Sequence, residues 1–135
     1  MADTPPGALI ARIVHGGLTA SLVLFSAACY VLRGGRVPGT LPAYLPWIPL
    51  ALAAVVFPTA IAMRSRLFDD TTSEPSDWWK AHLTHAILLW SLFEGPALFG
   101  AVIYLASGGV AALGATGIGL ALLLLHTPDR LNDAT

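Results

Sequence analysis

The sequence predicts an all-α integral membrane protein, four transmembrane helices in an up-down-up-down bundle, and three observations carry that expectation. Hydrophobic residues make up 56% of the chain and charged residues 11%, against roughly 45 to 50% and about 25% in soluble domains. The long segments are apolar on every side, whereas the surface helix of a soluble domain shows one apolar stripe. The stretches between them are short and rich in glycine, proline and charge, which makes consecutive helices antiparallel neighbours. The 135 residues read as a single transmembrane domain.

Helices are expected over about 8–32, 46–66, 76–107 and 109–126. The first is nearly continuous in apolar and small residues, and at about 1.5 Å per residue it spans a hydrocarbon core of about 30 Å. Arg12 lies one turn inside it and can snorkel to the headgroups. RGGRVPGTLPAYL follows, with three glycines and two prolines that break helix. The second helix tolerates Pro46 and Pro49 in its first turn, where the amides lack partners in any case. Pro58 falls in mid-helix, frees the carbonyl of Ala54 and predicts a kink. RSRLFDDTTSEPSD is expected in water, its SEPSD end capping the third helix. Gly108 and Gly109 break that helix, and after the fourth the tail HTPDRLNDAT returns to water. Tyr30, Tyr44, Trp47, Trp78 and Trp79 are expected to mark the headgroup layers.

Charge and cysteine content narrow the partners. The net charge is -1, so no basic surface offers itself to nucleic acid. The single cysteine, Cys29, excludes an intrachain disulfide and any CxxC motif, and a small buried thiol is its simplest role. LVLFSAAC loosely resembles the end of a lipoprotein signal, but Ser26 departs from the pattern and the preceding terminus is acidic, not basic. Arg12, Arg64, Arg66, Lys80 and Arg130 fall on the N-terminal side of the membrane, and Arg33 and Arg36 on the other. The positive-inside rule then expects a bacterial-type cytoplasmic (inner) membrane protein with both termini cytoplasmic.

Within WWKAHLTHAILLWSLFEGPALFGAVIYLAS, Glu94 lies about 3 Å from the midplane by helical rise. Inserting a charge at that depth costs roughly 3 kcal/mol, so such groups face protein, water or a partner and mark function. Helical spacing places Trp90, Ser91, Ala97, Leu98 and Ala101 on the same face. Trp90 and Ser91 are the expected companions of the carboxylate, which desolvation holds protonated unless a cation or donor is near. Pro96 frees the carbonyl of Leu92, and Gly95 lets another backbone approach. On the fourth helix Ala111, Ala115 and Gly119, at spacing four, form a small-residue surface suited to packing on the third.

Glu94-Gly-Pro-Ala97-Leu-Phe99-Gly100-Ala-Val-Ile103 resembles the ion-carrying helix of the proteolipid c or K subunits of rotary ATPases. In that family a mid-membrane carboxylate followed by a small and aromatic run binds the transported proton or sodium. GVAALGATGIGLAL is similar to the packing helix of the same subunits, although there the glycine-rich helix precedes the carboxylate helix and here it follows. The resemblance covers about a quarter of the chain and implies an ion-carrying role for Glu94, not membership of a ring. The simpler alternative is a polar tie, but intramembrane hydrogen bonds contribute only about 0.6 kcal/mol on average, less than the insertion cost.

The four histidines fall in the cytoplasmic half. His15 and His85 share a depth and could together ligate a b-type haem, with quinone binding nearby as a variant. Otherwise His82, His85 and His126 are expected half wet at the interface, with His15 hydrogen-bonded inside. His85 and Glu94 are nine residues apart, half a turn out of phase, so they build no joint metal site, and no metal site is expected. No nucleophile triad, phosphate loop or zinc-protease motif is visible, and no enzymatic activity is expected of the chain by itself. Three readings follow. The first is a subunit or accessory of a larger membrane complex with an ion-carrying carboxylate. The others are a haem- or quinone-binding anchor of a redox complex, and a purely structural packing subunit. Membrane lipids and other membrane subunits are the expected partners.

Overall fold

The computed structural model describes residues 6–35, 41–68 and 78–132. All its regular structure is helical: α1 (Pro6–Arg33), a 3-10 turn (Leu45–Trp47), α2 (Ile48–Leu67), α3 (Trp78–Ser107), α4 (Ala111–Leu125) and α5 (Pro128–Asn132). Prolines at the first positions of α1 and α5, and in the first turn of α2, sit where a missing N–H costs least. Among the described residues, α1, α3 and the 3-10 turn with α2 (Leu45–Leu67) are long and apolar enough to cross a membrane. α4 has 15 residues, about 22 Å by helical rise. It is therefore short of the crossing expected of a segment over 109–126.

α3 lies at the centre and packs against α1, α2 and α4. Leu89, Trp90, Phe93 and Ala97 are fully buried there. α1 runs parallel to α3: His15 meets Trp90, and Tyr30 stacks on Tyr104. α2 runs the opposite way, with Phe57 against Phe93 and Phe68 against Trp78. α4 also runs antiparallel to α3, since Thr116 donates to the Ala97 carbonyl (2.7 Å) while the later His126 accepts from Trp90 (2.8 Å). Successive helices thus alternate in direction.

Small residues bring α3 and α4 close. A Cβ on Gly119 would lie 2.6 Å from the Ala97 Cβ and 2.7 Å from the Phe93 carbonyl oxygen, so only glycine admits this approach. Ala115 beside it is fully buried, while Ala111 is half-buried at the first turn. The reversal between α3 and α4 is set by Gly108, whose φ of 71° is left-handed. Arg33 caps this end: its guanidinium donates to the carbonyls of Leu105 (3.4 Å), Ala106 (3.2 Å) and Ser107 (3.3 Å). Those are among the last carbonyls of α3, left without intrahelical donors.

The tail carries α5, with Leu131 only 2% exposed, and its Asp129 pairs with Arg12 at 2.7 Å. Apolar contact under a short helix holds it on the protein. Phe68 was expected in a wet loop but is buried by stacking on Trp78 and His82. Trp78 and Trp79 are 4% exposed, taken into that aromatic cluster instead of facing headgroups. The SEPSD cap and Arg36 lie outside the described residues. Leu24 and Val55, at 70% and 67% exposed, face outward from α1 and α2.

Candidate functional site

α1 and α3 lie side by side and in parallel, and that brings Ser21 to Glu94. The Ser21 hydroxyl donates to Glu94 Oε1 at 2.8 Å. Ser21 and Glu94 lie at equal distances past the midpoints of α1 and α3, about 2 Å by helical rise. The same hydroxyl reaches the carbonyl of Leu18 at 2.9 Å. A hydroxyl has one hydrogen and two lone pairs, so it serves one acceptor at a time. With an ionised Glu94 the hydrogen goes to the carboxylate. With a protonated Glu94 the acid donates to Ser21 Oγ, and Ser21 donates to Leu18. Both protonation states are therefore hydrogen-bonded through small rotations, without any movement of the helices.

The pair lies at an open face. Ser21, Gly17, Ser91 and Gly95 are exposed, and Glu94 is half-buried. A Cβ added at Gly17 or Gly95 would meet nothing within 4 Å. Polar and small groups from two helices thus flank one carboxyl at mid-length, with room in front. Ser91, one turn before Glu94 on α3, is also exposed, and its hydroxyl has no bond to the carboxylate.

Trp90 does not share the site, contrary to expectation. Its position is 40° around the helix from Glu94, enough to cross from the outer face to the core. It is fully buried, and its Nε1 donates to the His126 carbonyl. His126 is 8% exposed and lies against Phe93 with ring centroids 5.0 Å apart. His82 is 3% exposed, stacked on Trp78 at 4.5 Å. Both were expected half wet. Aromatic stacking buries them, and their Nδ1 atoms find carbonyls one turn back, at Leu122 and Trp78.

His15 is buried, with Nε2 2.9 Å from the Leu123 carbonyl and its ring edge on Trp90 at 4.9 Å. A carbonyl only accepts, so Nε2 carries the hydrogen and has no lone pair for iron. His85 instead neighbours His82, with ring centroids 6.1 Å apart, and its Nδ1 is buried without a hydrogen-bond partner. The structure does not bring His15 and His85 into ring contact. Among the described residues no three His, Cys, Asp or Glu side chains come together as a metal site. Cys29 is buried and free.

Ser21 is the partner of Glu94 that sequence reasoning missed. One signal was present: Gly17 and Ser21 at spacing four on α1, at the depth of Glu94. No protein family matches the chain, and neither a curated protein nor a solved structure matches it.

Proposed function

We propose that the chain is an integral membrane subunit of a larger membrane assembly, in which Glu94, held by Ser21, takes up and releases a proton or small cation at mid-membrane. The observation that carries this reading is the Ser21–Glu94 hydrogen bond at the middle of two helices of spanning length, on a face left open by Gly17 and Gly95. A carboxyl at that depth in lipid is costly unless protein, water or an ion meets it. An open, hydroxyl-lined face suits exchange with something outside the chain. α4 and α5 together return the chain to the level of Arg12, where Asp129 pairs with it. That return supports placing both termini on the more basic, cytoplasmic side, with α1 to α4 as an up-down-up-down bundle in a bacterial-type inner membrane.

Ion flux into membrane vesicles containing the chain and its assembly tests the reading. Glu94→Gln keeps the shape and hydrogen-bonding reach of the acid but has no ionisable group. Carriage predicts intact insertion with flux lost, and Glu94→Asp partly active. A purely structural tie predicts full flux in Glu94→Gln.

A further inference from the structure

On the other flank of α1, away from Glu94, a cleft of about 560 Å³ is lined by His15, Gly16, Thr19, Ala20, Val23, Leu24 and Leu124. It exists because Gly16 and Ala20 present almost no side chain: a Cβ at Gly16 would meet nothing within 4 Å. Short α4 reaches it only through Leu124. Its volume is that of a small-molecule site.

Thr19, in the cleft wall, has a buried hydroxyl oxygen without a partner in the protein. Helical threonines usually donate to the carbonyl four residues back, as Thr59 does to Val55 (2.7 Å). Thr19 makes no such side-chain bond to the His15 carbonyl and keeps its hydroxyl hydrogen for an acceptor from elsewhere. One turn earlier, His15 uses its Nε2 hydrogen on Leu123, so Nδ1 is the acceptor of a ring that also lines the cleft. The Thr19 donor and the His15 acceptor therefore lie one turn apart in an otherwise apolar wall, and only the donor can meet a ligand carbonyl.

We infer that this cleft binds an isoprenoid quinone, its ring carbonyl accepting from Thr19 after a rotation about one side-chain bond and its tail lying along Val23, Leu24 and Leu124. The choice of class follows from depth and polarity. Thr19 lies at the middle of α1, roughly 15 Å from either edge of a hydrocarbon core of about 30 Å. Phospholipid and fatty-acid head groups remain at those edges, and bare hydrocarbon has no acceptor. A quinone ring is a lipid-soluble group that carries carbonyls to mid-depth. The inference rests on the helices being membrane-spanning, not on ion exchange at Glu94.

The test uses the full chain in phosphatidylcholine vesicles with a photoreactive azido-benzoquinone bearing a ten-carbon chain. The expected result is saturable labelling between residues 16 and 24, displaced by the unlabelled quinone. Thr19→Val, which keeps the shape and deletes the hydroxyl, should weaken binding at least fivefold. Ala20→Leu should fill the cleft and abolish it, and Ser26→Ala, another buried hydroxyl on α1, should bind as wild type. Non-saturable uptake, or wild-type affinity in Thr19→Val, overturns the inference and leaves lipid or a partner helix as the occupant. Flotation of the carbonate-washed vesicles separates the premises: protein that fails to float overturns the membrane reading, whereas floating protein with non-saturable uptake overturns the quinone site alone.

Discussion

Ser21 Oγ lies 2.8 Å from Glu94 Oε1 and 2.9 Å from the Leu18 carbonyl oxygen, with one hydrogen to share between them. The geometry allows two arrangements: the hydrogen can point to the carboxylate if Glu94 is charged and to the backbone if Glu94 is neutral. A fixed polar tie needs only one of those states. Ser21→Ala should therefore leave the fold intact while weakening whatever exchange Glu94 performs, because the ionised form loses the Ser21 donor. Flux or ligand uptake in Ser21→Ala, measured beside wild type at equal membrane content, checks this, with a several-fold loss expected.

The α3–α4 contact predicts an asymmetric response to adding a methyl group. Gly119→Ala forces a Cβ to within 2.6 Å of Ala97 Cβ and 2.7 Å of the Phe93 carbonyl. Neither can yield without moving a helix, so a loss of about 1 to 3 kcal/mol is expected from overpacking. Gly117→Ala, facing open space, should be neutral or slightly stabilising because alanine favours helix. Reversible unfolding in denaturing detergent mixtures compares the two.

Arg33 binds three terminal carbonyls of α3. Replacing it with Leu removes both the donors and the positive charge at the negative end of the helix dipole, costing about 1 to 2 kcal/mol. Arg33→Lys should recover part of that. Hydrogen exchange should locate the loosening in the last turn of α3 and the Gly108 reversal, with little change near Glu94.

Trp90→Phe should cost about 1 to 2 kcal/mol, since the buried His126 carbonyl loses its indole donor. Because Trp90 faces the core and Glu94 the open side, carboxyl reactivity at Glu94 should not change in this variant. A changed reactivity would mean that the two groups share one site.

The mid-helix position of Glu94 is legible from sequence because helix length alone fixes the midpoint. The small-residue spacing on α4 likewise pointed to Ala115 and Gly119 as a close-packing surface. Facing was harder to read. A helix that is apolar all round has no polar stripe to say which side meets which neighbour, so Trp90 was placed beside Glu94 although its ring turns inward. Ser21 was missed for the same reason: one hydroxyl on an apolar helix acquires meaning only when the neighbouring helix is in register. Phe68 and Leu131 lie in segments whose composition is that of loops, and their burial depends on contacts with Trp78 and the ends of the other helices. Local pattern carries no trace of such contacts.

Carbodiimide labelling in membranes asks whether Glu94 is an exchangeable carboxyl at lipid depth, because hydrophobic carbodiimides modify protonated carboxyls in apolar surroundings. Labelling at Glu94 should be selective over the aqueous carboxyls, decline as pH rises, and decline further with sodium if sodium is the ion. Absence of labelling at Glu94, or labelling that pH and sodium leave unchanged, would rule out exchange there and leave the carboxyl as a structural tie to Ser21.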